Sequence, residues 1–107
     1  MVIHHFYGSD DMLVLITYDV STQTQAGVGR LRKVAKVCEN YGQRVQNSVF
    51  ECLLDSAQLK FVKAKLLDIM DKKEDSIRIY YLGNNFENKI EHYGVKQGYN
   101  PQGLLML

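Results

Sequence analysis

Asp19 stands where a charged residue is hard to place. It lies near the end of Met12 to Val20, Met-Leu-Val-Leu-Ile-Thr-Tyr-Asp-Val. That run is short, apolar and rich in β-branched residues, with no helical gap, and predicts a strand buried on both faces at the centre of a covered sheet. Period-two alternation puts Asp19 on one face with Leu13, Leu15 and Thr17, and Val14, Ile16, Tyr18 and Val20 on the other. A carboxylate on an apolar face is costly unless it meets a cation or hydrogen-bond donors. Two roles satisfy that requirement: a turn residue capping the Ser21-Thr22 backbone, or a ligand for a cation.

Cations follow in the chain. Arg30, Arg32, Lys33 and Lys36 precede the acid Glu39, so about a turn and a half of a helix is basic in a chain of net charge +1. A solvated helix face has the same composition, so the charge alone does not assign a partner. Cys38 and Cys52 are two thiols without a CxxC or Cys/His cluster. They indicate neither a zinc site nor a disulfide framework and are expected as small buried hydrophobes. His92 is the other group that titrates near neutral pH, and its place on a terminal strand suggests packing or surface duty.

The elements that must position these residues are legible in order. After a polar loop, Val28, Leu31, Val34, Ala35, Cys38 and Tyr41 recur at helical spacing, closed by Gly42 as C-cap. Arg44 to Leu54 is extended by composition and long for one strand, so it divides at Asn47-Ser48. Ser56 is the expected N-cap of a second helix with Leu59, Val62, Leu66, Ile69 and Met70 on one face, ending in the polar stretch from Asp71 to Asp75. Ser76 to Leu82 is a further strand, Gly83-Asn84-Asn85 a turn, and Lys89 to Val95 a final strand. The order predicts an α+β, ferredoxin-like βαββαβ sandwich with an extra C-terminal strand and both helices on one face of an antiparallel sheet. The other face, with Leu13, Leu15, Thr17 and Asp19, is apolar enough to call for a partner, and a twofold homodimer is the commonest answer.

With 107 residues, 46% of them apolar, and one proline, the chain is expected to be one folded domain. It occupies residues 12–95, between a tag-like or alternative-start extension at 1–11 and a tail at 96–107. The His4-His5 pair belongs to the extension and reads as tag-like rather than as a metal site. No apolar run approaches the ~20 residues that span a bilayer, and no segment has the layout of a secretion signal. A cytoplasmic protein without a membrane partner is expected.

A strand ending in Leu-Ile-Thr-Tyr-Asp-Val, then a basic helix, then Arg44-Val-Gln-Asn-Ser-Val-Phe-Glu51, resembles the CRISPR-associated protein 2 family, the small partner of the CRISPR integrase in spacer acquisition. The resemblance runs from Met12 to Val95. The Arg-x-Gln-x-Ser-Val-Phe-Glu stretch is its specific part; a strand-end Tyr-Asp alone is common. It implies a ferredoxin-like homodimer, and several members of the family are described as metal-dependent nucleases on RNA or double-stranded DNA. By that resemblance Asp19 would ligate the metal, Arg30, Arg32 and Arg44 would contact phosphates, and Ser48 with Phe50 would shape the site. The chain departs from the family in the long segment from Ser21 to Gly29, with Gly27 and Gly29 ahead of the arginines.

The chemistry is consistent with that resemblance. Mg²⁺, with Mn²⁺ as a substitute, keeps most of its waters and takes one or two carboxylates plus substrate oxygens, so one acid per chain doubled by a twofold axis suffices. Basic residues of the first helix, Lys33 among them, and Arg44 would neutralise phosphates without reading sequence. Three functions follow. One is a Mg²⁺-dependent endonuclease of CRISPR adaptation, acting on duplex DNA or alternatively on RNA. Another is a non-catalytic scaffold bridging integrase subunits and captured DNA, docking through its C-terminal strand. The third is a ferredoxin-like ligand-binding or toxin-type ribonuclease domain.

Overall fold

The computed structural model describes residues 11–82 and 89–95. His4-His5, the turn at Gly83-Asn84-Asn85 and the apolar end of the tail lie outside the described residues.

In chain order the elements are β1 (Met12–Asp19), α1 (Gln25–Glu39), β2 (Gly42–Gln46), β3 (Val49–Leu54), α2 (Ser56–Ile69), β4 (Ser76–Leu82) and β5 (Lys89–Gly94). The five strands form one sheet in the order β2-β3-β1-β4-β5, with every neighbouring pair antiparallel. This is the expected ferredoxin-like arrangement with a strand added at one edge. Among the described residues, no helix is long and apolar enough to cross a membrane.

Alternation along β1 decides the layering. Val14, Ile16 and Tyr18 are at most 1% exposed and join Phe50, Cys52, Leu54, Ile77 and Ile79 from the flanking strands. The helices close this core with Val34, Ala35 and Cys38 from α1 and Leu59, Val62 and Leu66 from α2. Each large side chain among them contributes ~1.5–3 kcal/mol of transfer free energy. Cys52 donates its thiol to the Cys38 carbonyl at 3.5 Å, and both cysteines are buried and unbridged, as expected. Cover on both faces of β1 was expected, but a single chain supplies it on one. Leu13, Leu15 and Thr17 are half-buried on the opposite face, and Asp19 is exposed.

β1 and β5 each end one residue earlier than expected, at Asp19 and Gly94, and β2 opens two residues earlier, at Gly42; the helix ends differ for local reasons. α1 begins inside the stretch taken as loop: Thr24 caps it by accepting from the Gly27 N–H, so Gly27 and Gly29 are helical. At its other end the cap is Asn40, and Gly42 instead opens β2, where a Cβ would collide with the Glu51 carbonyl of β3. Close strand approach, not helix termination, therefore requires that glycine. The N-cap of α2 is Asp55 rather than Ser56. Its carboxylate accepts from the Gln58 N–H at 2.7 Å while Gln58 Oε1 accepts from the Asp55 N–H at 3.0 Å, a capping box. The split at Asn47-Ser48 is observed, with a bulge between Arg44 and Gln46.

A further correction concerns Asp75, which sequence places at the end of a polar run. It is fully buried. Its Oδ2 accepts from the Tyr18 hydroxyl, from Arg30 Nε at 2.7 Å and from the Asp71 N–H at 3.0 Å, while Arg30 Nη2 reaches Oδ1 at 3.1 Å. Burial alone would raise its pKa, but the bonds from Arg30, Tyr18 and Asp71 outweigh it and hold the carboxyl below the usual range. Burial, reinforced by the bond to Asp75, pushes the Tyr18 hydroxyl well above its ordinary value.

The network carries a pH signature. A depressed carboxyl stabilises the fold fully above its unfolded pKa, near 4, and loses that contribution as pH falls through the folded value. Asp75→Asn should cost about 2–3 kcal/mol at neutral pH, because it strips the charge from a buried acceptor. Urea unfolding should show that gap holding from neutral pH down to about 4 and closing below it.

Candidate functional site

Asp19 is the last residue of β1, exposed on the face away from the helices. Its Cα partner in β4 is Ser76. One residue earlier, the Tyr18 N–H donates to the Ser48 carbonyl at 2.9 Å, which holds the β2–β3 turn against the end of β1. The Asn47-Ser48 turn and the end of β1 thus lie at the same end of the sheet. Among the described residues, no cation or donor pairs with the Asp19 carboxylate. The exposed carboxylate is accessible to a cation from outside the chain.

The donor set matches a hard ion with few protein ligands. Among the described residues, no group of three His, Cys, Asp or Glu residues converges, so a closed site of the zinc kind is not formed there. One exposed carboxylate oxygen fits an ion that retains water and takes its remaining ligands from a phosphate.

The basic residues separate into two groups. Arg30 turns inward to Asp75, so its phosphate-contacting role in the resemblance meets a guanidinium already bound in a bidentate ion pair. The bond to Asp75 also raises its pKa and keeps it charged. Arg32, Lys33 and Lys36 are exposed. Arg32 and Lys36 join Arg44 in lining an open groove of ≈ 450 Å³ between α1 and β2, floored by Val28, Leu31 and Ala35. Arg44 is braced there: its Nε donates to the Asn47 carbonyl at 2.7 Å, and its guanidinium lies 5.6 Å from the centre of the Phe50 ring.

Phe50, expected with Ser48 to shape the site, lies in the core. It is fully buried on the helix side, opposite Ile16, and cannot touch a substrate. Its effect on the site passes through Arg44, since the ring faces the cation. The groove follows the helix-side face of the sheet, whereas Asp19 projects from the other.

Sequence reasoning missed Lys36 as a groove residue, and it missed Asp75 and Glu91. A second polar network surrounds Glu91, which accepts from Tyr81 at 2.8 Å and from Lys63 at 3.1 Å. Burial disfavours its charge, but those two bonds hold its pKa below the ordinary range. Burial and the bond to Glu91 push Tyr81 up to about 12. This network ties β5 to α2. His92 has the packing role expected of it, with Nδ1 receiving Arg78 Nε at 3.3 Å and Nε2 lying 2.8 Å from the Val95 carbonyl.

Comparison with known proteins agrees with the fold and the motifs. Residues 12–90 match the family model described as CRISPR associated protein Cas2. The chain is 56% identical over 101 residues to a CRISPR-associated endoribonuclease Cas2 of Nitratidesulfovibrio vulgaris, covering 94% of this chain and 99% of that protein. It is 62% identical over 85 residues to a CRISPR-associated endonuclease Cas2 of Halalkalibacterium halodurans, covering 79% and 88%. Among solved structures, Streptococcus pyogenes Cas2 at pH 6.5 superposes with a TM-score of 0.67 at 59% identity, covering 70% of this chain and 90% of that one. A strand-end Tyr18-Asp19, an Arg44-to-Glu51 signature and a ferredoxin-like sheet agree with this family match over most of the chain, which therefore belongs to the CRISPR associated protein Cas2 family.

Proposed function

We propose that this protein is a metal-dependent endonuclease of CRISPR adaptation that acts on double-stranded DNA as a twofold homodimer. The observation that carries the reading is Asp19: an exposed carboxylate at the end of the central strand, on the sheet face opposite the helices. In the dimer, the faces bearing Leu13, Leu15 and Leu53 pack together and bring the two Asp19 residues to the symmetry axis. Mg²⁺, or Mn²⁺ in its place, held there would supply Lewis-acid activation of the phosphodiester and of the attacking water. Asp19 supplies the anchoring charge, and the Ser48 carbonyl secures the strand end through the Tyr18 N–H. Arg32, Lys33, Lys36 and Arg44 form a basic surface on the helix side, away from Asp19, that would hold backbone phosphates of a duplex extending past the metal, and Arg44 is stiffened by Asn47 and Phe50.

RNA is the second substrate reading, supported by the names of relatives such as the endoribonuclease of Nitratidesulfovibrio vulgaris. A bridging role beside the CRISPR integrase is compatible with both. It draws on the edge position of β5 among the described strands, whose outer side could receive another strand.

Duplex DNA and single-stranded RNA, incubated side by side with Mg²⁺, provide the decisive assay. Asp19→Asn should lower cleavage of the true substrate by about 100-fold or more; undiminished cleavage removes the metal role. Arg44→Ala should weaken binding to all sequences alike and reduce the slope of log affinity against log salt by about 1. Leu15→Arg should shift the sedimentation coefficient from dimer to monomer, because it places a charge in the packed face.

A further inference from the structure

We propose that Tyr18, Asp75 and Arg30 form a positioning device for the Asp19 carboxylate, a role that rests on the metal reading of Asp19 given above. Tyr18 immediately precedes Asp19, and alternation sends its ring into the core while the carboxylate points out. The ring is 1% exposed, and its hydroxyl ends on the Asp75 carboxylate, which also receives Arg30 from α1 and the Asp71 N–H from the segment after α2. The backbone of Asp75 is fixed as well, its N–H donating to the Asp71 carbonyl at 2.8 Å and its carbonyl accepting from Val95 at 3.0 Å.

The residue after Asp75 is Ser76, the cross-strand partner of Asp19. Asp19 is therefore bracketed: its chain neighbour is held through a side chain, and its sheet neighbour follows the residue that does the holding. The Ser48 carbonyl on the Tyr18 N–H closes a third side.

The arrangement stabilises the fold, and it also fixes position: a phenylalanine at position 18 would fill the same space but leave the buried Asp75 carboxylate one donor short. What a buried, fully bonded carboxylate supplies is one geometry, at a strand end that would otherwise fray. The device does not touch the Asp19 carboxylate; it acts on it through the backbone of β1 and of its β4 partner.

Three variants test the device: Tyr18→Phe, Arg30→Lys and Asp19→Asn. In metal-free protein well below its unfolding temperature, the Tyr18 amide of Tyr18→Phe should exchange about tenfold faster while amides around Val14 keep their rates, the mark of local opening. Mn²⁺ titration, followed by calorimetry, should show dissociation constants raised roughly tenfold in Tyr18→Phe and Arg30→Lys, about 1.4 kcal/mol of lost preorganisation at Asp19. Asp19→Asn should abolish that binding. Unchanged exchange at Tyr18, or a uniform acceleration along β1, overturns the positioning role. Wild-type Mn²⁺ affinity in Tyr18→Phe, with binding lost in Asp19→Asn, overturns it too and leaves the metal reading intact. Binding retained by Asp19→Asn overturns the metal reading and, with it, the function assigned to the device.

Discussion

A buried carboxylate must be compensated on every side, and satisfying Asp75 fixes much of this fold. Four hydrogen bonds from three separate parts of the chain converge on its two oxygens. Arg30 brings the first turns of α1 to the sheet, Tyr18 brings β1, and Asp71 brings the segment that follows α2. The desolvation cost falls only when all are in place, so these segments are coupled in a way that apolar packing alone would not require. Gly94 belongs to the same corner. Its φ of +97 lies in the left-handed region, and a Cβ there would strike the Asp75 carbonyl.

The alternation of β1 then divides labour between faces. Even-numbered positions from Val14 to Tyr18 build the core, and odd-numbered positions from Leu13 to Asp19 make the outer surface. A one-residue slip in register would exchange the two sets, sending Asp19 into the core and Tyr18 into solvent. Neighbouring strands enforce the register, with Ile16 opposite both Phe50 and Ile79. The position of Asp19 is therefore a property of the whole sheet and not of a loop.

Much of this was legible from residue order. Period-two patterning in β1 and helical spacing in α1 and α2 gave the element order, and the strand-end acid stood out because it interrupts an apolar run. Element ends were harder, because they depend on which short polar side chain reaches which backbone amide. Thr24 and Asp55 outcompeted their neighbours as caps, and Gly42 was chosen by a strand rather than by a helix. Arg30 and Arg32 are indistinguishable as letters, yet two positions on a helix separate them by about 200°. One faces a buried partner and the other a groove. Asp75 was hidden in Asp-Lys-Lys-Glu-Asp, although it directly precedes an apolar strand, and that position was the available signal. Phe50 belonged to the recognised signature, but its burial was decided by its neighbours Ile16 and Arg44.

The two cysteines sit where α1 meets β3, at 0% and 1% exposure, with Cys52 donating to the Cys38 carbonyl. A thiol–thiol interaction with Cys52, together with burial, raises the pKa of the Cys38 thiol, while the same interaction lowers that of Cys52, so what shields both from reagents is their burial at the closed seam. Alkylating reagents in solution can reach them only after helix and sheet part. The rate at which the folded protein takes up such a label is thus a clock for separation of its two layers, readable by mass without altering a single residue.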